Sequence, residues 1–456
     1  MRKRASRPTT GQRPGRPPPT PRVMGRPLAS ARPLDPDWVR VEERVLANGL
    51  KVRLVPDRNV PAVSLYTFFQ VGSRNERPGI TGIAHLFEHM MFNGAAKYGP
   101  KEFDRLLESN GGHSNAYTSH DLTAYYEDFA AEALGLVLDL ESDRMRSLAL
   151  TAQMLGSERE VVKEERRYSV ENEPLGVLDE ELYALAYQAH PYRWPVIGWM
   201  SDIEAIRRED CLSFFRTYYA PNNATLWAVG DLDTKKAFAA LEAAYADIPR
   251  GLEVPRPVST EPSQRGERRA QVRFPAHAQA LAIGYKGPPG VGEDAVVLDV
   301  IQYALSAGEG GRLVRKLVYD ELIASNVMVD FAWKLDPSLF QILVELNPGV
   351  DAQKAQRVID DELARLSERG LSASELLRAQ GQLRSQTLRE LSTNNGRAHN
   401  LGQHELLQGS WGAALKMPER YAAVGNEEVR RVSERMFQPS ARSIVTLVPA
   451  TEVAHG

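Results

Sequence analysis

The chain runs through one order of secondary-structure signals twice, on either side of a proline-rich break, and that recurrence constrains its fold more than any other feature. In the first half, residues 50–55 alternate apolar and polar side chains behind the turn signal Ala47-Asn48-Gly49, the period-2 mark of a half-buried strand. Residues 64–71 read as a more apolar strand, 82–93 and 101–109 as helices, and 115–129 as tyrosine-rich strand. Long helical patterns over 131–168 and a strand at 224–229 close that half. Residues 249–269 hold Pro255, Pro257, Pro262 and Gly266 among scattered charges without periodicity, and read as a linker. Beyond it the order returns: a strand (279–285), a helix (294–305), a helical stretch after Gly310-Gly311, strands at 327–333 and 339–346, and helices over 352–390. Tyr219-Ala220-Pro221 before the closing strand is matched by Phe437-Gln438-Pro439. Two copies of one α+β unit is the economical architecture, with domains at 38–248 and 270–450 joined by the linker 249–269.

The 456 residues allow two to four domains at roughly 150 residues each, with ample length for sizeable cores. No apolar run approaches the ~18–20 residues that a membrane-spanning helix needs. A single cysteine, Cys211, excludes an intramolecular disulfide framework and any multi-cysteine zinc site, so a bound metal must be held by histidines and carboxylates. The net charge of −3 is the balance of +9 over residues 1–34 and −12 over the rest. A body that acidic is a poor nucleic-acid binder. Residues 1–37, rich in proline and arginine and almost without apolar side chains, are expected to form a disordered basic tail. They lack the apolar core of a secretory signal, so the cytoplasm is the expected compartment, with the periplasm the alternative if the N-terminus is misassigned.

The chemistry concentrates in His85-Leu86-Phe87-Glu88-His89. On a helix, positions i and i+4 share a face, so both imidazoles project the same way, about 6 Å apart at Cβ. That spacing suits two nitrogen ligands of one Zn²⁺, with Glu88 able to reach a metal-held water without being a ligand. The order is the inverted H-x-x-E-H arrangement. With nine histidines in 456 residues, chance supplies only about 0.01 such patterns. The alternative, two surface histidines beside a charge, fits poorly with Ile83, Ala84, Leu86, Phe87, Met90 and Met91 around them.

A catalytic zinc site with two histidines calls for a third protein ligand and one open position. Residues 158–165 offer candidates. At about 100° per residue from Glu158, Val161 falls near −60°, Val162 near +40° and Glu165 near −20°. Glu158 and Glu165 thus share the stripe that the two valines mark as inward. Glu164 and Lys163 point away from it. Two acids on an apolar face fit a cation better than they fit a solvated helix.

These residues resemble the pitrilysin/insulinase-type zinc peptidases, a family that includes mitochondrial processing peptidase. The resemblance implies His85, His89 and Glu165 as ligands of one Zn²⁺ per chain, because the family's third ligand is a glutamate about 76 residues past the second histidine. It implies Glu88 as the general base, with Glu158 supporting the site from the place of the family's second glutamate. Residues 112–118, Gly-His-Ser-Asn-Ala-Tyr-Thr, are similar to its substrate-binding strand, which implies substrate pairing at Asn115 and Ala116. Residues 190–198 are typical of its small bacterial members. The implied fold is two α+β halves, each a mixed or antiparallel sheet with helices packed on it, enclosing a chamber. The implied activity is hydrolysis of peptides or small unfolded proteins.

One departure bears on partners. Where the family's second copy commonly carries an arginine and a tyrosine seven residues apart, this chain has Val318 and Ser325, with Arg312, Arg315 and Tyr319 close by. Neither Val318 nor Ser325 donates an equivalent hydrogen bond. The expectation is a heterodimer in which a related subunit supplies that pair, with a homodimer as the other arrangement. A non-catalytic assembly subunit and a peptide-capturing protein of the same fold are the competing readings. His113 and His120 flank the expected edge strand as substrate contacts, and His399 and His404 are expected at the surface.

Overall fold

The computed structural model describes residues 39–256 and 259–450; the expected tail, Trp38, and Pro257 and Val258 of the linker lie outside the described residues. Six strands build the first sheet: β1 (Glu42–Val45), β2 (Lys51–Pro56), β3 (Ala62–Phe69), β4 (His113–Thr118), β5 (Thr123–Ala130) and β6 (Ala224–Gly230). Their order is β1-β2-β6-β3-β5-β4, with β2 and β6 parallel and the other neighbours antiparallel. The second sheet holds β7 (Arg268–Phe274), β8 (Ala280–Lys286), β9 (Ala324–Phe331), β10 (Leu339–Leu346) and β11 (Arg442–Pro449). Its order is β7-β11-β8-β10-β9, with β7 and β11 parallel. Setting β1 aside, order and direction coincide strand for strand, so the duplication is a property of the topology. Strand β7 begins at Arg268, inside the range read as linker. Its side chains alternate between half-buried and exposed, and Arg268, Arg269 and Arg273 obscure the period.

Helices α1 (Ile83–Met90), α2 (Glu102–Ser109), α3 (Leu134–Ser147), α4 (Ala152–Arg166), α5 (Pro174–Ala186), α6 (Met200–Ala205), α7 (Arg208–Tyr218) and α8 (Thr234–Tyr245) come from the first half. The second half supplies α9 (Glu293–Ser306), α10 (Arg312–Val314), α11 (Ala352–Arg369), α12 (Ala373–Leu391), α13 (Asn394–Gln408), α14 (Gly412–Ala423) and α15 (Asn426–Met436). Each sheet packs one face on helices of its own half. The opposite face is covered by a helix from the other half. Helix α5 lays Leu178, Leu182, Tyr183 and Ala186 over Ala280, Ala282 and Val445 of the second sheet. In return α13 lays Ala398 and Leu401 over Val55, Tyr66, Phe68 and Trp227 of the first.

This exchange explains why β2, expected half-buried, has Val52, Arg53, Leu54 and Val55 all buried. Arg53 points at the incoming helix and pairs with Glu405 (2.6 Å), whose other oxygen accepts from Trp227 Nε1 (3.1 Å). Close approach needs glycine on α13: a Cβ at Gly402 would lie 2.2 Å from the Phe68 ring. His399 and His404 therefore lie in the seam between halves, not at the surface. His399 Nε2 meets the Tyr117 hydroxyl at 2.9 Å, and His404 Nδ1 donates to the Asn400 carbonyl at 2.8 Å. The β9–β10 loop ties the halves again. Leu335 N donates to Asp121 (2.9 Å), Asp336 N to the Tyr192 hydroxyl (3.1 Å), and Asp336 pairs with Arg74. Between the halves lies a cavity of about 540 Å³ lined by His120, Asp121 and Tyr183 from one side and Trp333, Lys334 and His404 from the other. Among the described residues no helix is long and apolar enough to cross a membrane.

Two outcomes follow from this packing. Gly402→Ala overpacks the seam and is expected to cost about 1–3 kcal/mol in denaturant unfolding, with both halves still melting in one transition. Asp299, buried beneath Trp333 Nε1 (3.0 Å) and the Tyr421 hydroxyl (2.8 Å), is pushed up to about 7 by burial, against the pull of those two donors. Its folded carboxyl therefore keeps a proton that the unfolded chain releases near pH ~3.9, so its contribution is fully present below that value and is lost as pH rises through about 7. Asp299→Asn should flatten the fall in urea midpoint between about pH 5 and about pH 7.5, and an unchanged slope would remove Asp299 as its source.

Candidate metal and active site

Helix α1 is fixed at its start by a buried carboxylate. Gly82, with φ near +87°, offers no capping side chain, and Glu76 takes the Gly82 and Ala84 amides at 2.9 and 2.8 Å instead. Ile83, Ala84, Leu86, Phe87 and Met90 are buried, and the Tyr125 hydroxyl donates to the Phe87 carbonyl from behind. That packing leaves His85, Glu88 and His89 half-buried on the remaining face, where His85 lines a pocket of about 300 Å³ together with Thr118, Glu165 and Tyr183. The His85 and His89 rings sit 5.0 Å apart, close to edge-on.

Helix α4, opened by a Thr151 cap, brings the carboxylates. Glu165 Oε1 lies 3.6 Å from His85 Nε2 and its Oε2 lies 3.2 Å from His89 Nε2. Glu158 Oε2 stands 3.6 Å from Nδ1 of His89, on the far side of that ring. The buried stripe of α4 runs through Leu155, Val162 and Arg166, near +60°, +40° and +80° on the helix wheel used above. The two glutamates sit at its edge, Glu165 lining the pocket and Glu158 meeting His89. Val161, expected inward, is 48% exposed, because its side of α4 lies beyond the pocket rim.

Does this set fit zinc? Two donors about 2.0–2.1 Å from a tetrahedral ion stand about 3.3–3.4 Å apart, and the two imidazole–carboxylate separations straddle that value. Among the described residues, His85, His89 and Glu165 are the group whose donor atoms all fall within 4.8 Å of one another. Their protonation agrees with it. Burial pushes His85 down to about 4, against the pull of Glu165, so it is a neutral donor. Burial also opposes charge on His89, yet Glu158 and Glu165 on its two nitrogens draw it up to about 9. A ring held between two carboxylates lies in a pocket short of one cation, which a divalent ion supplies. Glu88 is raised by burial, with the Glu165 carboxylate adding to the rise, as befits a group that takes and returns a proton.

The remaining expected residues are spread over both halves. Strand β4 is the outermost of its sheet, with Asn115 and Ala116 opposite Tyr126 and Tyr125 of β5, and its last residue, Thr118, lines the metal pocket. The Asn115 side chain accepts from the Ala116 amide at 2.8 Å. His113 is exposed at the outer end, while His120 is enclosed by Tyr183 and Tyr192. Val318 packs on the second core and Ser325 donates to the Glu345 carbonyl (3.3 Å); Arg312 is taken up by Glu375 and the Gly370 carbonyl. Reading the sequence missed Glu76 and Arg166, since an isolated acid and a helical arginine read as surface residues until the chain is folded.

With this geometry in place, the kinship is plain: the chain belongs to the insulinase family of peptidases, family M16. Residues 51–198 match the family profile "Insulinase (Peptidase family M16)" and residues 205–383 match "Peptidase M16 inactive domain". Helix α9, the counterpart of α1, has no histidine, which agrees with the second description. The zinc protease PqqE of Helicobacter pylori is 31% identical over 412 residues, spanning 90% of this chain and 93% of that protein. The uncharacterized zinc protease YmxG of Bacillus subtilis is 26% identical over 400 residues, 86% of this chain and 94% of its own. A crystal structure of a protease from Helicobacter pylori superposes with a TM-score of 0.87 at 30% identity, covering 90% of this chain and all of that one (100%).

Because Glu158 touches only the far nitrogen of His89, Glu158→Gln should leave the fold intact and weaken zinc affinity by about 10-fold in chelator competition.

Proposed function

We propose that this chain is a zinc-dependent endopeptidase acting on peptides or small unfolded proteins, with His85, His89 and Glu165 holding the ion and Glu88 as general base. The observation that carries this reading is the meeting of His85, His89 and Glu165, from two helices far apart in sequence, beside a half-buried Glu88 whose pKa is raised. An extended peptide adds alongside β4 at Asn115 and Ala116, so main-chain pairing selects unfolded backbone over any particular sequence. Zinc in the pocket supplies Lewis-acid polarisation of the scissile carbonyl and a water of lowered pKa. The Glu88 carboxylate takes the proton of the attacking water and passes it to the leaving amine. Glu158 holds the His89 ring at its second nitrogen.

The same proposal extends to a partner. Val318 and Ser325 offer no arginine or tyrosine to the substrate, and neither lines the metal pocket. A related subunit carrying that pair, and lacking H-x-x-E-H, completes the site in a heterodimer.

A quenched-peptide assay of wild type, Glu88→Gln and His85→Ala, each with and without the candidate partner, tests this. Glu88→Gln should keep its zinc and lose at least about 100-fold in kcat, whereas His85→Ala should lose both zinc and turnover. Turnover retained in Glu88→Gln would remove it as the base. Full hydrolysis by the purified chain alone would remove the need for the partner.

A further inference from the structure

The segment 190–198 stood out in the sequence, and the proposed chemistry gives it no task. In the structure it lies between the two helices that carry the candidate ligands. Gly198, with φ near +83°, is pressed against the start of α1: a Cβ there would fall 2.5 Å from the Gly82 nitrogen, and one at Gly82 would fall 2.4 Å from the Ile197 carbonyl. Trp199 N donates to the Thr81 hydroxyl at 3.0 Å, and that hydroxyl in turn donates to Asp202 at 2.8 Å. From the opposite side comes Arg166, the last residue of α4 and only 4% exposed. Its Nη1 donates to the Gly198 carbonyl (2.7 Å) and to Glu180 Oε2 (2.7 Å), its Nη2 to Glu180 Oε1 (3.0 Å), and its Nε to Glu171 (3.2 Å). The guanidinium lies 5.6 Å from the Trp199 ring centre.

We infer that Arg166 is a positioning residue for the metal pocket, holding Glu165 in register with His85 and His89 by gripping the same Gly198 against which α1 begins. The inference rests on the proposed metal site. Arg166 neighbours Glu165 directly in the chain, and Gly82 precedes His85 by three residues on a rigid helix, so a displacement at Gly198 reaches the candidate ligands with little slack. Ligand geometry must hold to about 0.5 Å, and the glycine pair leaves no room for drift on the α1 side. On the α4 side, the planar fork on Glu180 and the bond to Gly198 set both distance and rotation, which a lysine's point charge would set less well.

The test measures zinc affinity by chelator competition on folded protein near pH 7, together with the visible spectrum of the cobalt(II)-loaded chain. Arg166→Met should weaken zinc binding by about 10–100-fold and change the cobalt bands, with Arg166→Lys recovering part of the loss. Glu180→Gln should weaken it too, and adding it to Arg166→Met should bring little further loss, since both act through one bridge. Arg442→Met, which breaks a buried arginine's pairs with Glu267 and Asp360 in the other half, should lower stability and leave zinc affinity unchanged. Zinc affinity within twofold of wild type in folded Arg166→Met, or an equal loss in Arg442→Met, would overturn the inference. Should Arg166→Met not fold, Arg166→Lys and Glu180→Gln decide on the same readouts. Absence of stoichiometric zinc in the wild type would instead sink the metal site itself.

Discussion

Each sheet of this protein has two apolar faces, and its own half supplies helices for only one of them. The second face is closed by a helix from the opposite half, α5 in one direction and α13 in the other. Burying a leucine-sized side chain contributes about 1.5–3 kcal/mol, so a half deprived of its partner's helix would expose a continuous strip such as Val55, Phe68 and Val229. The halves are joined by necessity of burial more than by the linker. The polar contacts of the seam, Arg53 with Glu405 and the β9–β10 loop on Asp121 and Tyr192, add direction to an association that apolar area drives.

That joint places a cavity between the halves and, on its first-half wall, the metal pocket. His120, Asp179 and Tyr183 line both spaces, and Tyr183 also donates its ring to the cover of the second sheet. The residue that walls the pocket is thus part of the contact that closes the molecule. Strand β4 is likewise secured from behind by the second half, where His399 meets Tyr117 and Asn395 donates to Asp128 on the adjoining strand at 2.7 Å. These contacts hold the outermost strand of the sheet, which among the described residues has no neighbour on its other side.

The charges around the candidate ligands are arranged as one divalent ion would require. His85 is kept neutral by burial, while His89 lies between two carboxylates that favour its cationic form. The polarity of the site is set by acids that face inward from the margin of α4's buried stripe. The second half, which repeats the strand order without a histidine on α9, supplies no such cluster among the described residues and serves as wall and cover.

The repeat of α+β elements and the H-x-x-E-H helix were legible in the sequence, because alternation and helical spacing are properties of the linear chain, whereas Glu165 shared an inward stripe with Glu158 and only the family resemblance singled it out. Strand β7 and helices α5 and α13 were not legible. The arginines of β7 hide its alternation, and the two helices pack against residues far away in sequence, so their apolar positions gain meaning only when a sheet from the other half lies beneath them. His399 was misplaced for the same reason, since its burial depends on the first-half sheet that α13 covers. The candidate histidines and Glu88 were legible locally, in helical spacing. How those side chains are held to one another, through Glu76, Gly198 and Arg166, was decided only in three dimensions, because hydrogen bonds and close backbone contacts between distant segments leave no period in a sequence.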